Sequence, residues 1–106
     1  MQRGEVWWVD FDPSQGSEIQ KRRPAVILTI DTINKARRTV VVMPLSTAAI
    51  PRPPIVIPLP SAGQNSVAVC DQLRAIDKSR ILKRMGVLST NDLTALSSAV
   101  KTVLGL

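Results

Sequence analysis

Apolar residues fall along this chain in short blocks separated by polar stretches that carry proline and glycine, the spacing of a β-rich protein. Residues 5–11 (EVWWVDF) combine β-branched and aromatic side chains. As a strand they set Trp7, Val9 and Phe11 on one face and Val6 and Trp8 on the other. Residues 25–30 (AVILTI) and 39–45 (TVVVMPL) are nearly unbroken apolar runs, the pattern of strands covered on both sides. Pro51, Pro53 and Pro54 lead into residues 55–60 (IVIPLP), where Pro58 and Pro60 confine any strand to a sheet edge, because proline donates nothing to a ladder. Residues 66–76 (SVAVCDQLRAI) predict one long strand or two short ones. Alternation then pairs Gln72 with Arg74 on one face and puts Val69, Asp71 and Leu73 on the other. Residues 81–88 predict a last strand carrying Lys83 and Arg84.

The period changes after that strand. Leu93, Leu96, Val100, Val103 and Leu104 recur at helical spacing, Ser89 and Asp92 form an N-terminal cap pair, and Gly105 stands where such a helix stops. Residues 31–38 predict a turn or a short helix. Residues 12–23 form a polar loop of about a dozen residues, longer than most connections and therefore functional or mobile; Pro24 closes it. No repeat or linker divides the chain. Strands followed by one helix predict a single domain over residues 1–106 of β-rich, α+β class: a small barrel or curled sheet with a helix packed on it.

Composition narrows what such a domain can do. Its 106 residues suffice for one modest core, and 44% apolar with 21% charged residues is ordinary for a folded domain. Fourteen Lys and Arg against eight Asp and Glu give a net charge of +6, which favours nucleic acid, an acidic protein or an anionic membrane surface as partner. Histidine is absent, so imidazole chemistry is excluded, and the lone Cys70 can form neither an intrachain disulfide nor a zinc site. No apolar run approaches a membrane span and the N-terminus lacks a signal-like apolar segment, so a cytoplasmic protein without membrane association is expected.

Three segments can carry chemistry. The loop Gly16-Ser17-Glu18-Ile19-Gln20-Lys21-Arg22-Arg23 sets one carboxylate beside three adjacent cations able to contact phosphates, or it is simply a solvated charged loop. Ser46 and Thr47, at a strand end after Pro44 and Leu45, offer two hydroxyls to an oxyanion, or they cap a turn. Gln72 and Arg74 can meet base edges and phosphates, or face solvent. Cys70 reads as a core or groove residue, because no histidine is present to activate it. Trp7 and Trp8 read mainly as packing residues, though one of them can stack on a base.

Taken in order, residues 3–13 (RGEVWWVDFDP), Gly16-Ser17-Glu18 and residues 23–28 (RPAVIL), then Pro44-Leu45-Ser46-Thr47, then residues 69–77 (VCDQLRAID), resemble the three motifs of the MazF/PemK toxin family over nearly the whole chain. The resemblance implies a small SH3-like β-barrel of twisted antiparallel strands with a C-terminal helix, usually a homodimer. It implies the toxin of a type II toxin–antitoxin system, a metal-independent endoribonuclease that cuts single-stranded RNA, mRNA included, at short sequences. An antitoxin with an acidic, flexible tail would hold it inactive. By the same resemblance Arg23 and Thr47 take the catalytic positions, Glu18 matches a loop acid and Gln72 a substrate-contacting glutamine. Gly16, Ser17, Lys21, Arg22, Ser46 and Arg74 complete the expected substrate surface, and neither metal nor other cofactor is implied. RNA brings its own nucleophile, the 2′-OH, so the protein need only position it, accept its proton and stabilise charge on the phosphoryl oxygens. Arg23 suits the last task; the proton acceptor stays open between Glu18, Arg23 and the substrate itself. A non-catalytic toxin of the same fold directed at a protein such as DNA gyrase, and a plain RNA-binding module, are the alternative readings.

Overall fold

The computed structural model describes residues 1–13, 15–18 and 21–106. Among the described residues seven strands and two α-helices follow one another as β1 (Glu5–Asp10), β2 (Arg22–Ile27), α1 (Asp31–Ala36), β3 (Thr39–Ser46), β4 (Val56–Pro58), β5 (Val67–Val69), β6 (Arg74–Asp77), β7 (Ile81–Val87) and α2 (Thr90–Leu104). All pairings are antiparallel, in the order β4-β5-β3-β2-β1-β7 with β6 also on β3. β3 is the hub. One edge pairs with β2; the other pairs with β6 through Thr39–Val42 and then with β5 through Leu45 and Ser46. The sheet is twisted but does not close, since its path ends at β4 and β7. The expected barrel is therefore an open curl, and β4 is the proline-bearing edge strand that its sequence predicted.

The long apolar runs are explained by burial on both faces of the sheet. Val26, Met43 and Leu45 join Val6, Cys70, Leu88, Leu96 and Ala99 in one cluster, beneath α2. Their strand neighbours Ala25, Ile27, Val40 and Val42 join Val9, Phe11 and Ile76 in another. The alternation expected of β1 holds, with Trp7 against the second cluster beside Val9 and Phe11. Ser89 caps α2 by accepting from the Asp92 amide at 3.1 Å, and the Asp92 carboxylate accepts from the Ser61 amide at 2.8 Å, which ties the helix start to the turn after β4. Gly105, at φ +72, ends the helix in the left-handed conformation that glycine adopts without strain.

Four expectations change. β2 begins at Arg22 rather than Ala25, because the β1 ladder extends to Asp10 and pairs Val9 with Arg23 and Trp8 with Pro24. β2 also ends at Ile27; beyond it the Leu28 amide still donates to the Val41 carbonyl at 2.9 Å and the Thr29 hydroxyl accepts from the Val41 amide at 3.2 Å before the chain enters α1. Of the two readings of residues 66–76 the two-strand one holds, but the 3₁₀ turn over Cys70–Gln72 between the strands breaks the expected alternation. Leu104 is 51% exposed while Ala99 is buried: the contact face of α2 centres on Leu96 and Val103, and Leu104 lies at its margin.

Candidate functional site

The site begins with the hairpin that joins β1 to β2. Asp10 pairs with Arg22 in the ladder, and the Phe11 amide donates to the Lys21 carbonyl at 2.9 Å, closing the loop at its base. Lys21, at φ 68, turns the chain there while its amide donates to the Asp12 carboxylate at 2.8 Å. Arg80 donates to the Asp12 carbonyl and buttresses the same corner. Toward the tip, the Gln15 amide donates to the Glu18 carboxylate at 2.6 Å and the Glu18 amide to the Gln15 carbonyl at 3.1 Å. Ile19 and Gln20 lie outside the described residues.

The loop crosses the sheet toward the turn between β5 and β6. There the Gln72 side-chain amide donates to the Ser17 carbonyl at 3.5 Å, and the Arg74 guanidinium lies 4.0 Å from the Glu18 carboxylate. Phe11, Ser17, Glu18, Pro44, Asp71, Gln72, Leu73 and Arg74 enclose an open pocket of about 370 Å³. The 3₁₀ turn explains why Asp71, Gln72, Leu73 and Arg74 all face it, where a regular strand would divide them between two faces.

A second pocket, of about 300 Å³, is lined by Trp8, Arg22, Arg23, Pro24, Leu45, Ser46, Thr47 and Ser66. Pro44 lines the first pocket and Leu45, the next residue of β3, lines this one, so β3 contributes a wall to both. Arg23 is half-buried on β2, and Thr47 follows the last residue of β3 in an exposed turn, its hydroxyl without a hydrogen-bond partner among the described residues. Ser46 is already engaged: its hydroxyl accepts from the Ala48 amide at 3.1 Å and the Ala49 amide at 3.3 Å, so it caps the turn that presents Thr47. Arg22 lies 4.0 Å from the Asp10 carboxylate.

Arg23 and Thr47 thus share one pocket, with Arg22 and Ser46 beside them. Glu18 does not line it; with Ser17, Gln72 and Arg74 it lines the other. Gly16 and Lys21 are exposed on the loop and line neither. Among the wall residues that the sequence reading did not assign are Phe11, Asp71, Trp8 and Ser66. Phe11 reads as core and is fully buried, yet its ring lies 5.8 Å beneath the Arg74 guanidinium. Asp71 is assigned to the opposite face by alternation. Trp8 reads as packing, and Ser66 is brought in only by the pairing of β5 with β3. Cys70 is buried, and burial together with the Asp71 charge pushes its thiol up to about 11, away from any thiolate chemistry. Among the described residues no group of three or more Cys, Asp or Glu side chains is placed to hold a metal ion, and no helix is long and apolar enough to cross a membrane.

Residues 2–104 match the model of the PemK-like, MazF-like toxin family of type II toxin–antitoxin systems. The chain belongs to that family. A curated relative, endoribonuclease MazF9 of Mycobacterium tuberculosis, is 32% identical over 115 aligned positions that cover 100% of this chain and 98% of the relative. The crystal structure of MazF from Deinococcus radiodurans superposes with a TM-score of 0.89 at 25% identity, covering 100% of this chain and 97% of that one. A mycobacterial endoribonuclease solved in complex with its cognate antitoxin shares the fold, with a TM-score of 0.84 at 19% identity over 100% of this chain and 96% of that one. This chain therefore shares its fold with both of those structures, and its two pockets lie on that common frame.

Proposed function

We propose that this chain is the toxin of a type II toxin–antitoxin pair and an endoribonuclease that cuts single-stranded RNA, mRNA included, at short sequences in the cytoplasm. Relatives across the full length of the chain are named endoribonucleases. The observation that carries the mechanism is that Arg23 and Thr47, from two separate motifs, line one pocket.

In this reading the scissile phosphate sits between Arg23 and Thr47. The 2′-OH attacks phosphorus in line, the bond to the 5′-oxygen breaks, and a 2′,3′-cyclic phosphate and a 5′-OH result. Arg23 and Thr47 donate to the phosphoryl oxygens as charge builds on them. Glu18 stands in the neighbouring pocket beside Arg74, so we assign it to substrate binding. The 2′-OH proton then passes through a phosphoryl oxygen to the departing 5′-oxygen. The sequence has no imidazole, and among the described residues no three carboxylates or thiols are grouped to hold a metal, so the reaction is expected to run without metal. Lys21 and Arg22 supply positive potential for the phosphates, and Arg74, beside Glu18, serves substrate binding in the other pocket. The same +6 surface suits an acidic antitoxin tail that competes with RNA, and the active form is a homodimer.

The test is an RNA oligonucleotide incubated with the purified chain in excess EDTA, beside a copy carrying a single deoxyribose 5′ to the cut. Cleavage of the first to a cyclic phosphate, with the second intact, is expected. Dependence on added magnesium, or equal cutting of both substrates, overturns the mechanism; no cutting of any RNA overturns the activity.

A further inference from the structure

The pocket walled by Glu18, Asp71, Gln72 and Arg74 is mixed in charge, and that narrows what enters it. A phosphate is anionic and only accepts hydrogen bonds. A pocket lined by two carboxylates and one cation repels it. The wall suits a neutral group with an acceptor edge for Arg74 and a donor edge for a carboxylate. Arg74 is set up for such a partner. Its guanidinium lies 5.8 Å over the Phe11 ring, which limits how the fork turns. The 4.0 Å to Glu18 is too long for a hydrogen bond, and Arg74 donates none among the described residues; its buried Nη1 is left without a partner. The side chain is 30% exposed, so its remaining N–H groups are the ones an incoming acceptor meets.

Resting on the endoribonuclease reading, we propose that this pocket is a guanine-specific subsite for an unstacked base of the RNA. Guanine alone among the four bases carries two adjacent acceptors, O6 and N7, on one edge and two adjacent donors, N1–H and the N2 amino group, on the next. The first pair matches the arginine fork and the second matches a carboxylate. Adenine offers an amino group where guanine has O6, and uracil has no two adjacent acceptors. Cytosine has adjacent acceptors but only one donor group for the acid. Arg74 is the specificity-determining residue for the acceptor edge; Glu18 or Asp71 takes the donor edge.

The experiment measures cleavage of oligonucleotides that differ only in the base at each position flanking the cut. In parallel it measures fluorescence-anisotropy binding of the same sequences with every ribose 2′-O-methylated, so that recognition is read even where no bond breaks. One flanking position is expected to prefer guanine over each other base by about ten- to hundredfold in both assays, the discrimination of one bidentate contact. Replacing that guanine by 7-deazaguanine, which lacks N7, or by inosine, which lacks the N2 amino group, is expected to remove part of the preference each. Arg74→Lys keeps the charge but loses the fork, so the guanine-to-adenine ratio is expected to fall toward one, and Glu18→Gln, on the exposed loop, tests the donor edge. No guanine preference at any position, an unchanged ratio with 7-deazaguanine, or a ratio kept by Arg74→Lys overturns the proposal while the ribonuclease stands. Guanine-selective binding without cleavage sustains the subsite and overturns the enzyme.

Discussion

Arg23 sits on a paired strand and Thr47 directly after one, in a turn that Ser46 caps, whereas Glu18 and Ser17 reach their pocket on a loop. Arg23 is fixed opposite Val9 in the β1–β2 ladder, and Ser46, beside Thr47, is fixed opposite Val67. The other pocket has one firm wall, with Gln72 in the turn after β5 and Arg74 on Phe11. Its second wall is a loop tip whose contacts with the sheet include a 3.5 Å hydrogen bond and a 4.0 Å ion pair, both exposed or partly so. Such contacts contribute little stability each. Under the proposed function the difference amounts to a division of labour: the groups proposed to align with a transition state stand on or beside paired strands, and those proposed to admit a base stand where one wall can adjust.

The change that tests this division most severely is Arg23→Lys. Lysine keeps the charge but not the planar fork. A loss of at least about a hundredfold in kcat is expected, the scale of removing one oxyanion donor, with KM and Tm close to the parent values. Cleavage kinetics and a thermal melt check it. Near-parent kcat, or a loss confined to KM, would mean that this pocket binds rather than reacts.

Phe11 belongs to both regions, as a fully buried core residue and as the platform under Arg74. Phe11→Leu keeps most of the packing and removes the ring face. A stability loss of about 1 kcal/mol is expected, a Tm lower by about 5 °C in a domain of this size. The sharper readout is the guanine-to-adenine ratio, expected to fall by about tenfold while kcat on an already bound substrate changes less. A ratio that survives the loss of the ring would sever the link between the core and base selection.

How much of this was legible in the sequence depends on which physical signal each residue carries. Apolar runs and prolines placed the strands and the β4 edge, and Ser89, Asp92 and Gly105 marked both ends of α2. The motif residues Arg23 and Thr47 were legible as a pair only through the family resemblance; spacing alone does not say that β2 and β3 lie side by side. The start of β2 at Arg22 was hidden because a polar, proline-bearing segment reads as loop until β1 supplies its ladder. Phe11 was hidden for the opposite reason: a buried aromatic looks the same whether its outer face meets methyl groups or a guanidinium. Asp71 was misplaced because a three-residue 3₁₀ turn leaves almost no compositional mark between two apolar strands.

The smallest expected effect comes from a place remote from both pockets and serves as their control. Glu5, on β1, accepts from the Trp7 indole at 3.1 Å and pairs with Arg84 of β7 at 2.9 Å. Burial raises its carboxyl, but the Gln2 amide, the Trp7 indole and Arg84 together outweigh this and hold it below the ordinary carboxylate range. A depressed folded-state value means that the stabilisation is fully present above the unfolded value of about 4.3 and is lost as pH falls through the lower folded value. Because Arg84 is about half exposed, Glu5→Gln is expected to cost no more than about 1 kcal/mol at pH 7. The gap in Tm between parent and variant should therefore be small at pH 7 and shrink as the buffer is taken below pH 4. A gap that stays constant with pH would mean that the packing of Glu5, not its charge, holds β1 to β7. Through the neutral range the variant's kcat and its guanine-to-adenine ratio should both match the parent. If either moves with so small a loss of stability at the far side of the sheet, the two pockets are coupled through β1, and the division between a rigid reacting half and an adjustable binding half does not hold.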